Sequence, residues 1–298
     1  MGSFLTDNRS PIYLPLPGAV NGIGAGKAMT IKMDPGPTFL GLILKCFIST
    51  TGATRTEIGT MLTNWRLSLS GTDLWNLTGV QLLSWIEYYR TGLIANTGYV
   101  FIPFSRLWQR TSLGALNPAV GTQGETSFQL QITQDATSTI DSVEATAIID
   151  PVVAPLGAHV RMKTLTPNLA LGENDIINLY RNPGDFLYAI HIEVPTAAYL
   201  TEMSYSADGV RIFDKMTQAM LAQLYLEPIP VRTLQTGTKI ITLDFCRRGF
   251  DDDAIPLNMN IQNLKLKFGT SAPGLVTIMQ EIGTLEPTAA GVARRAAA

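Results

Sequence analysis

Six residues near the amino terminus, Gly22–Lys27, have the glycine content of a phosphate-binding loop. Such a loop needs a glycine five residues before its Gly-Lys pair and a hydroxyl residue after the lysine, which reaches magnesium. Those two positions hold Asn21 and Ala28. The residues that follow also do not predict a helix whose amino terminus would hold phosphate. We therefore interpret Gly22–Lys27 as a flexible glycine-rich arm.

The chain contains two histidines, His159 and His191. His191 and Glu193 alternate along a predicted strand and would share one of its faces. Sandwich enzymes that hold a metal use several histidines with a glutamate, and no second histidine lies near His191 in the sequence. Nucleophilic catalysis has no visible base, and neither a Gly-x-Ser-x-Gly nor a Ser-x-x-Lys motif occurs. We predict that the protein is not an enzyme, although one sequence does not exclude a carboxylate pair for glycoside hydrolysis.

The densest charge in the chain lies at Asp251, Asp252 and Asp253, just after Arg247 and Arg248. Carboxylate oxygens are ligands that calcium prefers, so these aspartates are candidate calcium ligands, although EF-hand spacing is absent. The alternative is a solvated loop tip or an ion pair with one of the arginines. We expect no other cofactor.

Two further sets of residues have both a chemical and a structural interpretation. Trp75, Trp85, Phe213 and Tyr225 would suit a carbohydrate-stacking surface, but their matched places in the two halves of the chain favour core packing. Cys46 and Cys246 are the only cysteines. Their apolar surroundings predict two buried, reduced thiols rather than a disulfide.

Composition excludes several classes of protein. Charged residues are 15% of the chain and the formal net charge is -2, so a field that would hold nucleic acid non-specifically is absent. The most apolar run, Phe39–Ile48, is too short for a membrane span and contains Lys45. Pro11, Pro15 and Pro17 interrupt any secretory signal. With 46% hydrophobic residues, the chain is not a disordered protein.

The candidate residues described above lie among short apolar runs and runs of alternating polarity, which are bounded by Gly, Pro, Asn and Asp. Such runs predict an all-β sandwich architecture. The predicted strands are Ala28–Met33, Phe39–Ser49, Leu62–Ser70, Tyr99–Phe104, Ser127–Gln134, Ile140–Ile149, Asp175–Tyr180, Phe186–Val194, Leu200–Ser206, Lys239–Phe245, Gln262–Phe268 and Gly274–Ile282. From these strands we expect Leu42 or Ile43, Phe101, Ile190 and Ile241 to be buried.

Two stretches predict helices. The first begins at Thr78, whose hydroxyl would cap it while Gln81 reaches back, and it ends at Gly92. The second begins at Asp214 and ends before Pro228.

The two halves of the chain repeat each other segment by segment. Pro35-Gly36 followed by Phe39-Leu40 matches Pro183-Gly184 followed by Phe186-Leu187. Further on, Leu74-Trp75 and the first helix match Ile212-Phe213 and the second helix. Each half is therefore predicted to be a strand series with one inserted helix, and the boundary falls in the proline-rich stretch Pro151–Leu171.

With two such helix-decorated sandwiches in tandem, the chain resembles the double jelly-roll major capsid proteins of tailless icosahedral phages with an internal membrane, of the corticovirus type in the tectivirus and adenovirus lineage. The residues that carry the resemblance are Thr30–Met33, Gly36–Leu40, Leu67–Tyr89 and Tyr99–Phe104. The pattern extends over nearly the whole chain.

The resemblance implies two tandem jelly rolls in a homotrimer whose six units form a pseudo-hexagonal capsomer of the virion shell. We expect an N-terminal arm at residues 1–26, jelly rolls at 27–155 and 172–287, a linker at 156–171 and a C-terminal tail at 288–298. The implied partners are copies of the chain, a vertex protein and internal-membrane proteins, with synthesis in the host cytoplasm.

The alternative function is a tandem-sandwich binding module, such as a receptor-binding spike or a lectin. The near-equal halves and the lack of a shaft-like segment favour a capsid protein. We expect interface roles for the long connections Ser105–Glu125 and Cys246–Met259. Arg294 and Arg295 in the tail would contact a membrane or anionic components beneath the shell, or belong to a frayed end.

Overall fold

The computed structural model describes residues 11–17, 20–89, 98–105, 119–137, 140–196, 198–217, 220, 240–246, 254–257 and 263–284. These residues fall into two compact units, here called unit 1 (up to Val160) and unit 2 (Arg161–Thr284). The division lies inside the stretch Pro151–Leu171, where the sequence placed the boundary. The predicted all-β class is confirmed, because strands form most of the described structure.

Unit 1 has two sheets. Its strands are β1 (Ile12–Pro15), β2 (Val20–Asn21), β3 (Ala28–Met33), β4 (Thr38–Ile48), β5 (Thr51–Gly52), β6 (Leu62–Leu69), β7 (Thr72–Thr78), β8 (Tyr99–Pro103), β9 (Val120–Gly121), β10 (Phe128–Gln134) and β11 (Ser142–Asp150). One sheet has the order β1-β11-β4, with β5, β8 and β9 also paired to β4, and the other has the order β2-β3-β10-β6-β7. Phe39 and Phe128 join the sheets, with ring centroids 5.0 Å apart.

Unit 2 repeats this arrangement. Its strands are β12 (His159–Leu165), β13 (Asn168–Leu169), β14 (Gly172–Ile176), β15 (Asp185–Glu193), β16 (Leu200–Ala207), β17 (Val210–Met216), β18 (Ile240–Asp244), β19 (Ile255–Leu257), β20 (Leu264–Thr270), β21 (Gly274–Leu275) and β22 (Thr277–Thr284). The order β12-β22-β15-β18 corresponds to β1-β11-β4-β8, and β14-β20-β16-β17 corresponds to β3-β10-β6-β7. In each unit, the eight longest strands therefore form the two four-stranded sheets of a jelly roll, and the three shortest strands add to their edges or connections.

Two irregularities of the backbone occur at matched places in both units. Leu40 has no partner where β4 pairs with β11, and Tyr188 has none where β15 pairs with β22, 148 residues further along. Leu74 and Ile212 are the extra residues of a second matched pair of bulges. The predicted match of Leu74 with Ile212 is thus confirmed.

The predicted match of Phe39 with Phe186 is wrong by one residue. Phe39 and Leu187 occupy equivalent ladder positions, opposite Ile149 and Ile282 respectively. Phe39 is buried, whereas 42% of Phe186 is exposed. The aromatic ring common to both positions in the sequence led to the shifted alignment.

The predicted core residues are confirmed. Leu42, Phe101, Ile190 and Ile241 are all buried, whereas Ile43 is partly buried. Replacing a fully buried isoleucine such as Ile190 by alanine would cost about 2–5 kcal/mol of stability.

Helix α2 (Gly79–Tyr89) confirms the first predicted helix and its capping box, since Gln81 N–H donates to the Thr78 hydroxyl while Thr78 N–H donates to the Gln81 side chain. The second predicted helix does not begin at Asp214, because Asp214 and Met216 lie in β17. Of its later residues, only Thr217 and Met220 belong to the described part of the chain.

Helix α1 (Arg55–Met61) was not predicted. It begins with a second capping box, formed by Thr54 and Glu57.

Two stretches assigned to connections contain strands. Residues 12–15, expected in an N-terminal arm, form β1 and pair with Ala147 and its neighbours in β11. The expected linker, residues 156–171, contains β12 and β13. Prolines lie next to these strands without interrupting them, since Pro15 ends β1 and Pro167 directly precedes β13, where a missing N–H breaks no ladder hydrogen bond.

Candidate functional site

The glycine segment Gly22–Lys27 is an ordered connection between β2 and β3 rather than an arm. Gly22, Gly24 and Gly26 all have positive φ, and Gly26 N–H donates to the Asp135 carbonyl at 2.8 Å. The chain then enters a strand instead of a helix. Since no helix amino terminus follows, the geometry gives no phosphate site here.

His191 lies in the middle of β15 and is fully buried. Its Nδ1 lies 2.8 Å from the Thr242 hydroxyl, and its Nε2 lies 3.3 Å from a carboxylate oxygen of Glu281. These partners lie on the two strands that flank β15, so the imidazole joins three strands of one sheet. Glu193, two residues further along β15, is half-buried. Glu281 was missed, because 90 residues separate it from His191.

His159 begins β12 and is buried, with Nδ1 3.1 Å from the Gly157 carbonyl. Within the described ranges, no group of three or more His, Cys, Asp or Glu side chains has the geometry to hold a metal ion. Both histidines lie in strands, and each has a polar group within hydrogen-bond distance of its ring.

Neither described helix is long and apolar enough to cross a membrane.

The aromatic residues considered for carbohydrate stacking are core residues. Trp75, Trp85 and Phe213 are all less than a tenth exposed, which confirms the packing interpretation, and Tyr225 lies outside the described residues. Cys46 and Cys246 are buried free thiols. Burial raises the pKa of the Cys46 thiol to about 12, so the reactive thiolate is disfavoured at neutral pH.

Several predicted functional residues lie outside the described part of the chain. These are Asp251, Asp252 and Asp253 with Arg247 and Arg248, and the tail pair Arg294 and Arg295. Of the two long connections, the structure describes Ser105 and 119–125 in the first, and Cys246 and 254–257 in the second. The calcium site and the interface roles of these loops therefore stay predictions.

A shallow groove of about 520 Å³ lies in unit 2, between the end of β15 and the start of β22. Its lining is Glu193, Val194, Pro195, Pro273, Gly274, Leu275 and Thr277. It contains one carboxylate and no aromatic ring, imidazole or thiol. This lining offers neither an acid–base pair nor a surface on which a sugar would stack.

The largest contrast between equivalent strands is at β1 and β12. In β1 all four residues are exposed, with 46% of Ile12, 60% of Tyr13 and 42% of Leu14 accessible to solvent. In β12 the residues from His159 to Met162 are buried or half-buried. Unit 1 therefore presents an apolar, uncharged strand along one flank, and unit 2 does not.

The opposite contrast occurs at β7 and β17. The bulge residue Leu74 is buried in unit 1, but its equivalent Ile212 is 46% exposed in unit 2. Val210 is 69% exposed, and the Arg211 side chain between them is 72% exposed. Unit 2 therefore exposes apolar side chains on β17, beside Arg211, which pairs with Asp214, whereas the exposed residues of β7 in unit 1 are polar.

Other exposed positions carry ion pairs between neighbouring strands. In unit 2, Lys265 pairs with Asp175 at 2.7 Å and Lys267 pairs with Glu173 at 2.6 Å across β14 and β20. The Lys267 ammonium group lowers the pKa of Glu173, chiefly through its hydrogen bond. Exposed ion pairs of this kind contribute little to stability, because both charged groups remain in contact with water.

The chain matches the models of two known protein domains. Residues 14–153 match the model of the viral coat protein P2 N-terminal domain, and residues 159–284 match that of the viral coat protein P2 C-terminal domain. The chain belongs to the viral coat protein P2 family. No curated protein matches the chain.

Solved structures show the same double jelly-roll fold. The major capsid protein P2 from bacteriophage PM2 superposes with a TM-score of 0.83 at 21% identity, over 94% of this chain and 99% of that chain. The structure of Sulfolobus Turreted Icosahedral Virus gives 0.69 at 13% identity, over 97% and 94%. The Faustovirus major capsid protein gives 0.58 at 6% identity, over 96% and 92%.

As a member of the coat protein P2 family, the chain is a structural, non-enzymatic capsid protein. It is located in the virion, where it assembles with copies of itself into the capsid lattice. The spike or lectin alternative is not favoured. The exposed strand edges are therefore the candidate functional site, because a coat protein acts through the surfaces that contact its neighbours.

Proposed function

We propose that the protein forms homotrimeric, pseudo-hexagonal capsomers that tile the icosahedral shell of a bacteriophage. The observation that carries the proposal is the pair of jelly rolls with matched strand orders and matched bulges in one chain. Three such chains supply six similar units, and heterologous contacts with threefold symmetry close them into a ring. The likeness to the PM2 major capsid protein supports a phage capsid.

The composition supports a protein that associates through its flanks. Only 15% of the residues are charged, against about 25% in an ordinary globular protein. Exposed apolar residues such as Tyr13, Val210 and Ile212 lie at strand edges, where unpaired backbone groups also favour association. We expect the interface between two copies to exceed roughly 2,000 Å², as obligate contacts usually do.

The proposal includes partners beyond the chain itself. A vertex protein and internal-membrane proteins would complete the shell, with Arg294 and Arg295 as candidate contacts to anionic components. Synthesis would take place in the host cytoplasm, before assembly. Calcium held by Asp251, Asp252 and Asp253 would stabilise contacts between capsomers.

Sedimentation of the purified protein tests the proposal. We expect a stable trimer across micromolar concentrations, and shells of regular size by electron microscopy when assembly is induced. A well-folded monomer over the same concentration range would refute the capsomer.

A further inference from the structure

The two units expose different edge strands. Unit 1 exposes all four residues of β1, the edge strand of one sheet, whereas one of the seven residues of the equivalent strand β12 is exposed in unit 2. Unit 2 exposes β17, the edge strand of the other sheet, whereas the equivalent strand β7 of unit 1 buries its bulge residue. A head-to-tail contact needs two different surfaces on one chain, and these two edges are such a pair.

The apolar residues of both edges lie at the same end of their units. Ile12 pairs with Ile149, which lies opposite Phe39 in β4, and Phe39 contacts Phe128 beside the β6–β7 turn. Val210 directly follows the equivalent β16–β17 turn. From these ends, the chain in β1 leads away from the β6–β7 turn of unit 1, and the chain in β17 leads away from the β16–β17 turn of unit 2.

Charged residues of opposite sign follow at a similar distance from that end. Glu144 lies five residues from Ile149 along β11, beyond the end of β1, and its side chain is 70% exposed despite a 3.9 Å contact with Lys45. Lys215 is exposed and lies five residues from Val210 along β17. Five residues of β11 span roughly 16 Å, whereas the five residues of β17 include the bulge residue Ile212 and span a few ångströms less, a difference that the long lysine side chain covers. When two units stand side by side with the same ends level, apolar residues meet apolar residues and the carboxylate meets the ammonium group.

We infer that β1 of one copy docks against β17 of the next, with Ile12 and Tyr13 packed on Val210 and Ile212, and with Glu144 facing Lys215. The contact rests on the proposed assembly and specifies the surfaces that form it. Tyr13 is the expected anchor, because large aromatic residues dominate the binding energy of such interfaces. The absence of charge on β1 is explained, since the partner covers this edge in the assembled state.

Aspartate substitutions test the apolar part of the contact. Ile12→Asp and Val210→Asp should each weaken trimer association at least tenfold in sedimentation equilibrium. Leu171→Asp is the matched control, because Leu171 is exposed to a similar degree, 67%, and lies on neither edge. Thermal unfolding of each variant verifies that the units remain folded. Equal association of Val210→Asp, Ile12→Asp and Leu171→Asp would overturn the proposed contact.

Charge reversal tests the register. Glu144→Lys and Lys215→Glu should each weaken association about threefold, and the double variant should return to within about twofold of the wild type. Lys32→Glu, an exposed position on β3, is the control and should change little. A double variant weaker than both single variants would refute the pairing of Glu144 with Lys215. Failure of the wild type itself to associate would refute the capsomer instead, which separates the two proposals.

Discussion

Replacing Gln280 by leucine removes the two hydrogen bonds that hold the β14–β15 connection of unit 2 to β22. Gln280 is 2% exposed, its Oε1 accepts from Tyr180 N–H at 2.6 Å, and its Nε2 donates to the Tyr180 carbonyl at 3.1 Å. The side chain thus satisfies one donor and one acceptor of the backbone, as a neighbouring strand would. Leucine has a similar volume but leaves both groups without a partner.

The magnitude follows from those two groups. An orphaned buried backbone group costs about 1–3 kcal/mol. Because Tyr180 is only half-buried, water reaches part of it and the lower half of that range applies. We therefore expect Gln280→Leu to lower the free energy of unfolding of unit 2 by about 2–4 kcal/mol.

Gln134 of unit 1 provides the matched control. It is also 2% exposed, but neither polar atom of its side chain has a hydrogen-bond partner in the described part of the chain. Gln134→Leu removes a buried, unsatisfied amide, so stability should stay the same or rise by about 1 kcal/mol.

Guanidinium unfolding followed by two signals separates the units. All four tryptophans lie between residues 65 and 108, so fluorescence follows unit 1 while circular dichroism follows both units. Gln280→Leu should shift the dichroism transition to lower denaturant and leave the fluorescence transition in place. An unshifted transition, or an equal loss from Gln134→Leu, would refute the role given to the Gln280 amide.

Four further outcomes are expected. Thr54→Ala should destabilise unit 1 by about 1 kcal/mol in denaturant unfolding through loss of the α1 cap, whereas Thr54→Ser should not. Burial and, after it, the Asp185 carboxylate raise the pKa of Tyr180 to about 12. The neutral phenol therefore contributes to the stability of the folded state in full below pH 10, and this contribution is lost as pH rises toward 12. Between pH 10 and 12, the melting temperature of the wild type should fall more than that of Tyr180→Phe. Cys46 should resist thiol reagents at pH 8 until the protein unfolds, and early labelling would contradict its burial. Chelation of calcium should lower the melting temperature of assembled shells, and asparagine at Asp251–Asp253 should abolish that difference.

The sequence predicted the repeated strands well where apolar residues alternate over five or more positions. The bounds of β3 agree at both ends, and β4, β6, β8 and β10 agree within one residue. These strands are buried on one face at least, so the pattern of side chains reports the fold directly. The short edge strand β1 has no such pattern, because all its residues are exposed.

One helix has a signature in the sequence but was not predicted from it. Thr54 and Glu57 have the spacing of a capping box, which is typical of the start of a helix, yet no helix was predicted there. The contact between His191 and Glu281 is different, since it depends on the pairing of β15 with β22, and no local pattern indicates a neighbour 90 residues away. The open edges β1 and β17 likewise became visible only when equivalent strands could be compared in three dimensions.

The matched bulges restrict how the two halves of the chain could diverge. Loss of the bulge residue itself, Leu40 or Tyr188, would leave a regular ladder, because its two neighbours already lie opposite consecutive residues of the adjacent strand. Loss of any other residue would shift the rest of the strand by one position, and every later side chain would turn to the opposite face. A substitution at a bulge changes one contact, as the leucine at one bulge and the tyrosine at the other illustrate. Outside the bulges of these strands, single deletions are therefore far more damaging than substitutions, and a library of variants should retain chain length before it retains residue type.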